Sequence, residues 1–342
     1  MKIVTWAGPD AGAGDEIDDA GRAGLLHGDL VLDLAALGGW AARNGAGVGL
    51  ALPDTTLALL RRGPEGMAAA REALALAAKA RPEDLSAEPG LARPLAEVRL
   101  RAPVPNPPAV RDFYAFEQHV RAARARRGVG MIPEWYEFPV FYFSNTSALF
   151  GGDDDIPYPR RSQELDFELE VAAVIGQAGM DISAGDAPGY IAGYMVMNDW
   201  SARDLQRQEM KMNLGPAKGK DFATSFGPWL VTPDELDDRR AGSGKDERYD
   251  LAMFGSVNGD QLTSANMKEL YFTFPRMIER AAQHVRLRPG DIIGSGTCGT
   301  GCILELGTER HRWLQPGDLV EMGVERLGTQ HSRIVAAQAA DA

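Results

Sequence analysis

The sequence has few cysteines and no long apolar run, and both shortages exclude classes of protein. Its 342 residues contain two cysteines, Cys298 and Cys302, which is too few for a disulfide framework. With only two cysteines and no histidine beside them, these thiols are not expected to form a thiolate metal site. No apolar run approaches the length of about 18 residues that spans a membrane, and no basic-then-apolar leader opens the chain. These absences predict a cytoplasmic protein with no membrane partner.

Positive charge is also in short supply. The 36 Lys and Arg residues are outnumbered by 48 Asp and Glu residues, so the formal net charge is -12. This balance argues against binding to nucleic acid and to anionic membranes. A hydrophobic content of 44% and a charged content of 25% are ordinary for a globular protein. The length suggests one large domain or two smaller ones.

A proline-rich segment, RAPVPNPPAVRD, predicts a domain boundary near residue 105, because it cannot continue a helix or a central strand. Residues 1–105 are then a small N-terminal domain and residues 106–342 a catalytic domain. In the first, MKIVTWA predicts a strand and GDLVLDLAAL a strand that leads into a helix. The Ala-rich run EGMAAAREALALAAKARPED predicts another helix. None of these stretches carries evident chemistry.

The stretch DFELEVAAVIG contains a pair of acidic residues that points to a cation. It is rich in Val, Ile and Phe and ends at Gly176, so it predicts a strand. Side chains two apart on a strand share a face, so Glu168 and Glu170 project together, about 6–7 Å apart. Leu169 and Val171 then pack behind them. Two such carboxylates repel unless a cation lies between them, and Mg²⁺ or Ca²⁺ takes oxygen ligands. An exposed strand face with two solvated glutamates is the alternative.

A second apolar stretch, YIAGYMVMNDW, predicts another strand, which ends at Asp199. Ser201 and Asp204 are three apart and fit a capping box, so a helix is predicted to start there. Asp199 then lies beside a helix N-terminus, which suits an acidic ligand or an anion-binding backbone. Arg203 and Gln206 fall three apart on that helix and share a face.

The segment RDFYAFEQHVRAARARR carries Asp112, Tyr114 and His119. Asp112 and His119 are seven apart, which places them on one face if the segment is helical. The Arg-rich and Ala-rich composition predicts an exposed helix, and both a structural and a catalytic role for His119 stay open. The following stretch, MIPEWYEFPVFYFSN, predicts a pocket wall or a buried strand around Tyr142. Four arginines predict a solvated face or, for one of them, a contact to a substrate carboxylate: Arg121, Arg124, Arg126 and Arg127.

Two glycine-rich loops follow. NLGPAKGKDFATSFGPWLV offers Lys218 and Lys220 as cations for an anionic substrate, and its spacing does not match a phosphate-binding P-loop. A loop lysine of this kind is expected to contribute little to the core. The GSGTCGTG loop allows its backbone to approach a ligand closely, and Glu305 is predicted on a strand directly after it.

Taken in order, these stretches resemble the fumarylacetoacetate hydrolase family. Five motifs over roughly residues 106–327 carry the resemblance: DFY…H at Asp112–His119, ELE at Glu168–Glu170, NDWSARDLQ at Asn198–Gln206, GKDFATS around Lys220 and SGT…LEL at Ser295–Leu306. The resemblance implies an α+β fold, with a mixed β-sheet roll in the catalytic domain, a smaller N-terminal α/β domain, and a homodimer. A family arginine after the histidine has no clear counterpart here, which leaves Arg124, Arg126 or Arg127 to fill its role.

The resemblance also implies a role for each matching residue. Four carboxylates hold a divalent metal, for which Mg²⁺ is expected and Mn²⁺ or Ca²⁺ also fit: Asp112, Glu168, Glu170 and Asp199. His119 and Glu305 form a water-activating pair, and Lys220 is the third catalytic residue. Five side chains bind the substrate or its anion: Tyr114, Tyr142, Arg203, Gln206 and Thr297.

The implied activity is hydrolysis of a carbon–carbon bond in a small anionic, fumarylacetoacetate-like β-diketo acid, as in aromatic catabolism. His119, oriented by Glu305, takes a proton from water, and a metal-stabilised enolate leaves. Two alternatives stay open. One is another activity of the same family, namely an acylpyruvate hydrolase, an oxaloacetate-type decarboxylase or a 2-oxo acid hydratase. The other is a non-catalytic, metal-dependent binding module. The presence of both His119 and Glu305 favours water attack over decarboxylation.

Overall fold

Strands dominate the fold in the computed structural model, which describes residues 1–7, 21–45 and 51–337. The strands, numbered in chain order, are β1 Lys2–Trp6, β2 Arg22–His27, β3 Leu30–Asp33, β4 Ala92–Pro94, β5 Leu100–Arg101, β6 Val110–Phe113, β7 Phe141–Ser144, β8 Leu149–Gly151, β9 Ile156–Pro157, β10 Leu165–Asp166, β11 Leu169–Ile175, β12 Ile191–Asp199, β13 Ser201–Ala202, β14 Thr224–Val231, β15 Arg240–Ala241, β16 Arg248–Tyr249, β17 Ala252–Val257, β18 Asp260–Asn266, β19 Ile292–Gly294, β20 Leu319–Val324 and β21 Gly328–Val335.

The α-helices are short and lie between these strands. They are α1 Leu34–Arg43, α2 Thr56–Arg61, α3 Gly63–Ala77, α4 Pro82–Ala87, α5 Glu117–Arg126, α6 Arg203–Met210, α7 Phe274–Ala282 and α8 Ile303–Leu306. Short segments of 3-10 helix cover Leu95–Glu97, Pro133–Tyr136, Ala187–Tyr190, Pro233–Arg239, Gly244–Asp246 and Met267–Glu269. Within the described ranges, no helix has the length and apolar character needed to cross a membrane.

The largest sheet runs in the order β4-β3-β2-β1-β14-β12-β11-β19-β6-β7, with β5 joined to β1 and β8 to β14. Two of its pairings, β14 with β8 and β19 with β6, are parallel, and the rest of its path is antiparallel. A second sheet has the order β18-β17-β20-β21-β9 and also ends in a parallel pair. The predicted mixed, sheet-dominated α+β fold is therefore confirmed.

The predicted N-terminal elements are present as β1, as β3 followed by α1, and as α3. Strand β1 pairs with β14, with Lys2 opposite Val231 and Ile3 opposite Leu230, so the large sheet continues across the boundary placed near residue 105. A shared apolar core joins α1 and α3 to the same sheet. The division into residues 1–105 and 106–342 stays a prediction.

Strand β11 is buried on both faces, which explains its continuous apolar run. Val171 and Ala173 pack into the core that contains α7 and the second sheet. Ala172 and Val174 pack on the opposite face, against the core shared with the N-terminal helices. Side chains alternate along the strand, so Glu170 lies on the same face as Ala172 and Val174.

Candidate active site

Three carboxylates converge where β6, β11 and β12 lie close in the large sheet. Asp112, Glu170 and Asp199 are buried, and one oxygen from each lies within 4.8 Å of the others. The pleat places Asp199 on the same face as Met197, which packs with Ala172 on the face of Glu170. Strand β19 separates β11 from β6 in the sheet, so the carboxylate of Asp112 reaches across it.

Gly294 on β19 provides the space for this approach. A Cβ built at Gly294 would lie 2.5 Å from Oδ1 of Asp112 and 2.9 Å from the sulfur of Met197. Beyond the strand, the Gly296 N–H donates to Oδ1 of Asp112 and to Oε2 of Glu170, both at 3.1 Å. One glycine thus leaves room for the carboxylates, and a backbone N–H of the next loop ties two of them together.

Gly294→Ala should displace Asp112 and weaken the binding of Mn²⁺. Forcing a methyl group into a packed site costs about 1–3 kcal/mol, and the same free energy lost from metal binding is a loss of affinity of about 5- to 150-fold. Calorimetric titration of the metal-free protein with Mn²⁺ measures this effect. Gly189→Ala is the control, because a Cβ at Gly189 would have no heavy atom within 4 Å. Equal Mn²⁺ affinity in the two variants would contradict the placement.

The three carboxylates fit a divalent cation. Oδ1 of Asp199 is buried and has no hydrogen-bond partner among the described residues, so it is available as a ligand. Burial and the Asp199 charge raise the pKa of Asp112 to about 7, and burial with Asp112 raises the pKa of Glu170 well above its ordinary value. Both pKa values rise because the buried negative charges repel each other with too few cations nearby to balance them. Oxygen donors of this kind suit a hard cation such as Mg²⁺ or Mn²⁺.

The charge balance of the surrounding buried groups agrees with this fit. Five buried carboxylates face two buried cations, which leaves three formal negative charges without compensation, and a divalent cation would remove two of them. The groups counted are Asp112, Asp166, Glu168, Glu170, Asp199, Arg203 and Lys220.

Glu168 lies beside the three carboxylates but makes different contacts. Its Oε2 accepts from Lys220 Nζ, and its Oε1 accepts from Arg203 Nη2 at 2.7 Å. Burial raises the pKa of Glu168, but Arg203 and Lys220 outweigh burial and hold the pKa below its ordinary value. Protein cations therefore neutralise this carboxylate, and its role as a fourth metal ligand stays a prediction.

Lys220 is part of the buried cluster, so the expectation that it contributes little to the core is wrong. Its Nζ donates to Glu168 and, at 2.5 Å, to Oδ2 of Asp199. Burial lowers the pKa of Lys220, but Asp199 and Glu168 outweigh burial and hold the pKa above its ordinary value. Lys220 therefore provides a fixed positive charge. Lys218 is exposed and pairs with Asp221.

His119 and Glu305 are in contact, as their predicted pairing requires. Nδ1 of His119 lies 2.9 Å from Oε2 of Glu305, and both side chains are buried. Oε1 of Glu305 accepts from the Thr300 N–H at 2.8 Å, which fixes the carboxylate. A carboxylate only accepts, so Nδ1 of His119 carries the proton and Nε2 of the neutral ring is the basic nitrogen. The ring of Tyr114 lies edge-on to this imidazole, with centroids 5.7 Å apart.

Three expectations about this pair are wrong. His119 is buried rather than exposed, because it lies with Val120 and Ala123 on the inner face of α5. The arginines that predicted an exposed helix are not on this buried face. Asp112 does not share a helical face with it, because Asp112 lies on β6. Glu305 is on the short helix α8 and not on a strand, since the chain makes one turn before Gly307 ends it with φ 90°.

The predicted capping box is also wrong. Ser201 belongs to β13, which pairs with β10, so the chain stays extended for one residue more and α6 begins at Arg203. The Ser201 hydroxyl donates to the Asp199 carbonyl at 3.0 Å. Asp204 instead accepts from the Ser162 hydroxyl at 2.6 Å.

The structure places the other predicted substrate residues around the same cluster. The Tyr142 hydroxyl donates to Asp199 and, at 3.0 Å, to Oδ2 of Asp112. The Thr297 hydroxyl donates to Oε1 of Glu170 at 3.4 Å. Their roles toward a substrate stay predictions, as does that of Gln206, whose Oε1 accepts from Arg203 Nη1 at 3.1 Å.

Of the three candidate arginines, one contacts the segment that carries Glu305. Arg126 Nε donates to the Glu305 carbonyl at 3.2 Å. Arg124 Nε donates to the Gly130 carbonyl at 2.6 Å, and Arg127 Nε donates to the Ala123 carbonyl at 3.2 Å. A substrate contact by any of them stays a prediction.

Sequence reasoning missed Asp166, which is fully buried beside this site and bound to Arg203. A signal for it is present in ELDFELE, where Asp166 precedes Glu168 and Glu170 with the same spacing of two. Acids at Asp166, Glu168 and Glu170 that alternate with Leu165, Phe167 and Leu169 indicate one acidic face on a buried strand.

The sheet-dominated α+β fold buries three carboxylates that could hold a divalent cation, and a His–Glu contact lies beside them. A family model described as Fumarylacetoacetate (FAA) hydrolase C-terminal matches residues 109–335, and the chain belongs to this family.

Three relatives show the range of reactions in the family. The 2,4-didehydro-3-deoxy-L-rhamnonate hydrolase of Sphingomonas sp. (strain SKA58) is 34% identical over 57% of this chain and 65% of its own. The fumarylacetoacetase of Oryza sativa subsp. japonica is 32% identical over 61% of this chain and 62% of its own. The mitochondrial oxaloacetate tautomerase Fahd2a of Rattus norvegicus is 31% identical over 83% of this chain and 81% of its own. The chain thus matches less than two thirds of the length of the first two relatives.

Solved structures resemble this chain over almost its full length. Maleylpyruvate hydrolase from Sphingobium sp. SYK-6, in complex with manganese (II) ion and pyruvate, has a TM-score of 0.66 and 26% identity over 99% of this chain and 100% of its own. Fumarylacetoacetate hydrolase from Exiguobacterium antarcticum has a TM-score of 0.68 and 23% identity over 98% of this chain and 99% of its own, which supports the fold. The relatives include hydrolases and a tautomerase, so the family alone does not fix the reaction.

Proposed function

We propose that the protein is a metal-dependent hydrolase that cleaves a carbon–carbon bond in a β-diketo acid, either a fumarylacetoacetate-like compound or an acylpyruvate. The observation that carries the proposal is the buried His119–Glu305 contact of 2.9 Å beside the carboxylate cluster. A reaction that adds water needs a group that takes its proton, whereas loss of CO₂ from a keto acid does not. The manganese and pyruvate bound to maleylpyruvate hydrolase also support a metal-dependent reaction of this kind.

The pair supplies the proton transfers of the reaction. Nε2 of His119 takes a proton from water as the hydroxide adds to one carbonyl carbon. Glu305 holds Nδ1–H and stabilises the imidazolium that forms. The bond from that carbon to the CH₂ group then breaks, and its electron pair is delocalised onto the remaining carbonyl oxygen. The imidazolium returns its proton to the CH₂ carbon, so the products are a carboxylic acid and a methyl ketone.

Fixed charges and donors complete the site. Lys220 keeps its positive charge beside Asp199 and Glu168 and stabilises the negative oxygen of the leaving enolate. Oε1 of Gln206 is occupied by Arg203, so its amide nitrogen is the group that donates to a substrate oxygen. Asp112, Glu170 and Asp199, with Glu168 as the predicted fourth ligand, would hold a divalent cation, which supplies Lewis-acid polarisation of the two carbonyl groups.

Removal of the metal should abolish turnover of β-diketo acids. Chelation and desalting give the metal-stripped protein, and activity should return when Mg²⁺ or Mn²⁺ is added. The reason is that Lewis-acid polarisation stabilises the transition state by several kcal/mol. The assay is a panel of fumarylacetoacetate and acylpyruvates with identification of both products. Full activity in the metal-stripped protein would rule out the proposed mechanism.

Lys220→Met should lower turnover by about a hundredfold or more, as expected when one preorganised charge donor is lost. It leaves Glu168 and Asp199 without their shared cation, so the metal-free variant should also melt at a lower temperature, since breaking a buried ion pair costs about 3–5 kcal/mol. Lys218→Met is the matched control, because Lys218 lies two residues away and its side chain is 75% exposed. Parent-like turnover in folded Lys220→Met protein would exclude the assignment.

The relative matched over 83% of this chain favours a second candidate, an oxaloacetate tautomerase. That reaction moves a proton between carbon and oxygen but adds no water and breaks no carbon–carbon bond. The same product panel, extended to oxaloacetate, separates the two candidates. Rapid keto–enol exchange of oxaloacetate without cleavage of any diketo acid would establish the tautomerase instead.

A further inference from the structure

Asp166 contacts both the helix that carries Glu305 and the side chain of Arg203, and it has no part in the proposed mechanism. It lies on β10 and is fully buried. Oδ1 accepts from the Ile303 N–H at 2.8 Å. Oδ2 accepts from the Leu304 N–H at 3.0 Å and from Arg203 Nε at 2.8 Å.

The two backbone contacts fix the start of α8. Ile303 and Leu304 are its first residues, and Glu305 follows directly. The first N–H groups of a helical turn have no partner within it, so they need acceptors from elsewhere in the fold. Asp166 therefore holds the backbone one residue before the carboxylate that contacts Nδ1 of His119.

The third contact fixes Arg203. Its guanidinium is a rigid plane, so anchoring Nε sets the direction of both remaining nitrogens. Nη2 donates to Oε1 of Glu168 at 2.7 Å, and Nη1 donates to Oε1 of Gln206 at 3.1 Å. A carboxylate is needed for all three contacts, since an asparagine amide would present one accepting oxygen and one donor to three N–H groups.

We propose that Asp166 is a positioning residue, which fixes the position of Glu305, and through it of His119, relative to Arg203. It contacts no reacting atom and acts through Glu305 and Arg203. The inference rests on the proposed function for its catalytic consequence, while the anchoring of α8 can be measured without any substrate.

Hydrogen exchange tests the anchoring. In Asp166→Asn, the amides of residues 300–307 should exchange about tenfold faster or more, because a capped first turn loses its acceptor. Asp33→Asn is the matched control: Asp33 is also buried, accepts from the Ala36 N–H of α1 at 3.0 Å and pairs with Arg22 at 2.6 Å. The control should leave exchange in residues 300–307 unchanged. Parent-like exchange in Asp166→Asn would overturn the proposal.

A double-variant cycle tests the coupling to catalysis. Asp166→Asn should lower kcat by about 10–10²-fold, since a misplacement of about 1 Å can cost that much. Once Glu305→Gln has disabled the pair, adding Asp166→Asn should change kcat by less than about threefold, because the two residues act as a unit. If Asp166→Asn lowered kcat by the same factor in the parent and in Glu305→Gln, the proposal would be overturned, since a general structural defect would act equally in both proteins.

A second pair of variants keeps the carboxylate intact. Ile303→Pro deletes one of the two donated N–H groups at the first helical position, which tolerates proline and follows the extended residue Cys302. It should lower kcat in the same direction as Asp166→Asn, relative to Ile303→Ala, which removes the same side chain and keeps the N–H. Equal kcat in these two variants would count against the proposal. If the parent protein turns over no β-diketo acid, the proposed function falls, and the exchange comparison alone decides the role of Asp166.

Discussion

His119→Ala should reduce the hydrolysis of a β-diketo acid by about 10²–10⁴-fold, as is typical when a general base is lost. The reason is that Nε2 is the basic nitrogen of a ring whose Nδ1–H is held by Glu305 at 2.9 Å. Glu305→Gln should have an effect in the same range, because the amide no longer stabilises the imidazolium. Neither change touches a predicted metal ligand, so the affinity for Mn²⁺ should be nearly unchanged.

Steady-state kinetics with product analysis measures this effect. His331→Ala is a suitable control, because His331 is half exposed, pairs with Asp153 and lies outside the site. Retained folding is checked by the melting temperature, and retained metal binding by titration with Mn²⁺. Parent rates in His119→Ala would mean that water is activated by another group, and the mechanism would have to be abandoned.

Glu170→Gln should remove metal binding and activity together. Even altering the outer partners of a metal ligand costs about 10–100-fold in affinity, so loss of a ligand oxygen should weaken Mn²⁺ binding by more than about 100-fold. The amide also cannot supply the negative charge that balances the cation. Activity should fall to the level of the metal-stripped parent.

Calorimetric titration with Mn²⁺ measures the loss of affinity directly. Asp318→Asn is the control, because it also removes a buried carboxylate, one that is bound to Arg312 and directly precedes β20 of the second sheet. If Glu170→Gln kept the Mn²⁺ affinity of the parent, the cation would have to bind elsewhere.

The sequence predicts the site well where one residue pattern decides the geometry. The spacing of Glu168 and Glu170 predicts a shared face, and Leu169 and Val171 do pack in the core behind them. The approach of Asp112 is not predictable in this way, because it depends on the missing side chain of Gly294, far away in the chain.

The errors arise where tertiary contacts override local composition. The arginines of α5 predict an exposed helix, yet its inner face buries His119. The motif after Asp199 fits a capping box, yet pairing with β10 keeps Ser201 extended. In both cases the local sequence pattern predicts how the segment would behave alone. In the folded protein, packing of α5 against the core and pairing of β13 with β10 decide the outcome instead.

Hydrolysis incorporates an oxygen atom of water into one product, and isotope labelling detects this incorporation. The holoenzyme, loaded with Mg²⁺ or Mn²⁺, is incubated with an acylpyruvate and with fumarylacetoacetate in ¹⁸O-labelled water, and the products are weighed by mass spectrometry. A hydrolase should cleave a diketo acid into equal amounts of two products, with one labelled oxygen in the new carboxylate of the acid fragment. Recovery of the substrate or an isomer without cleavage would contradict this expectation.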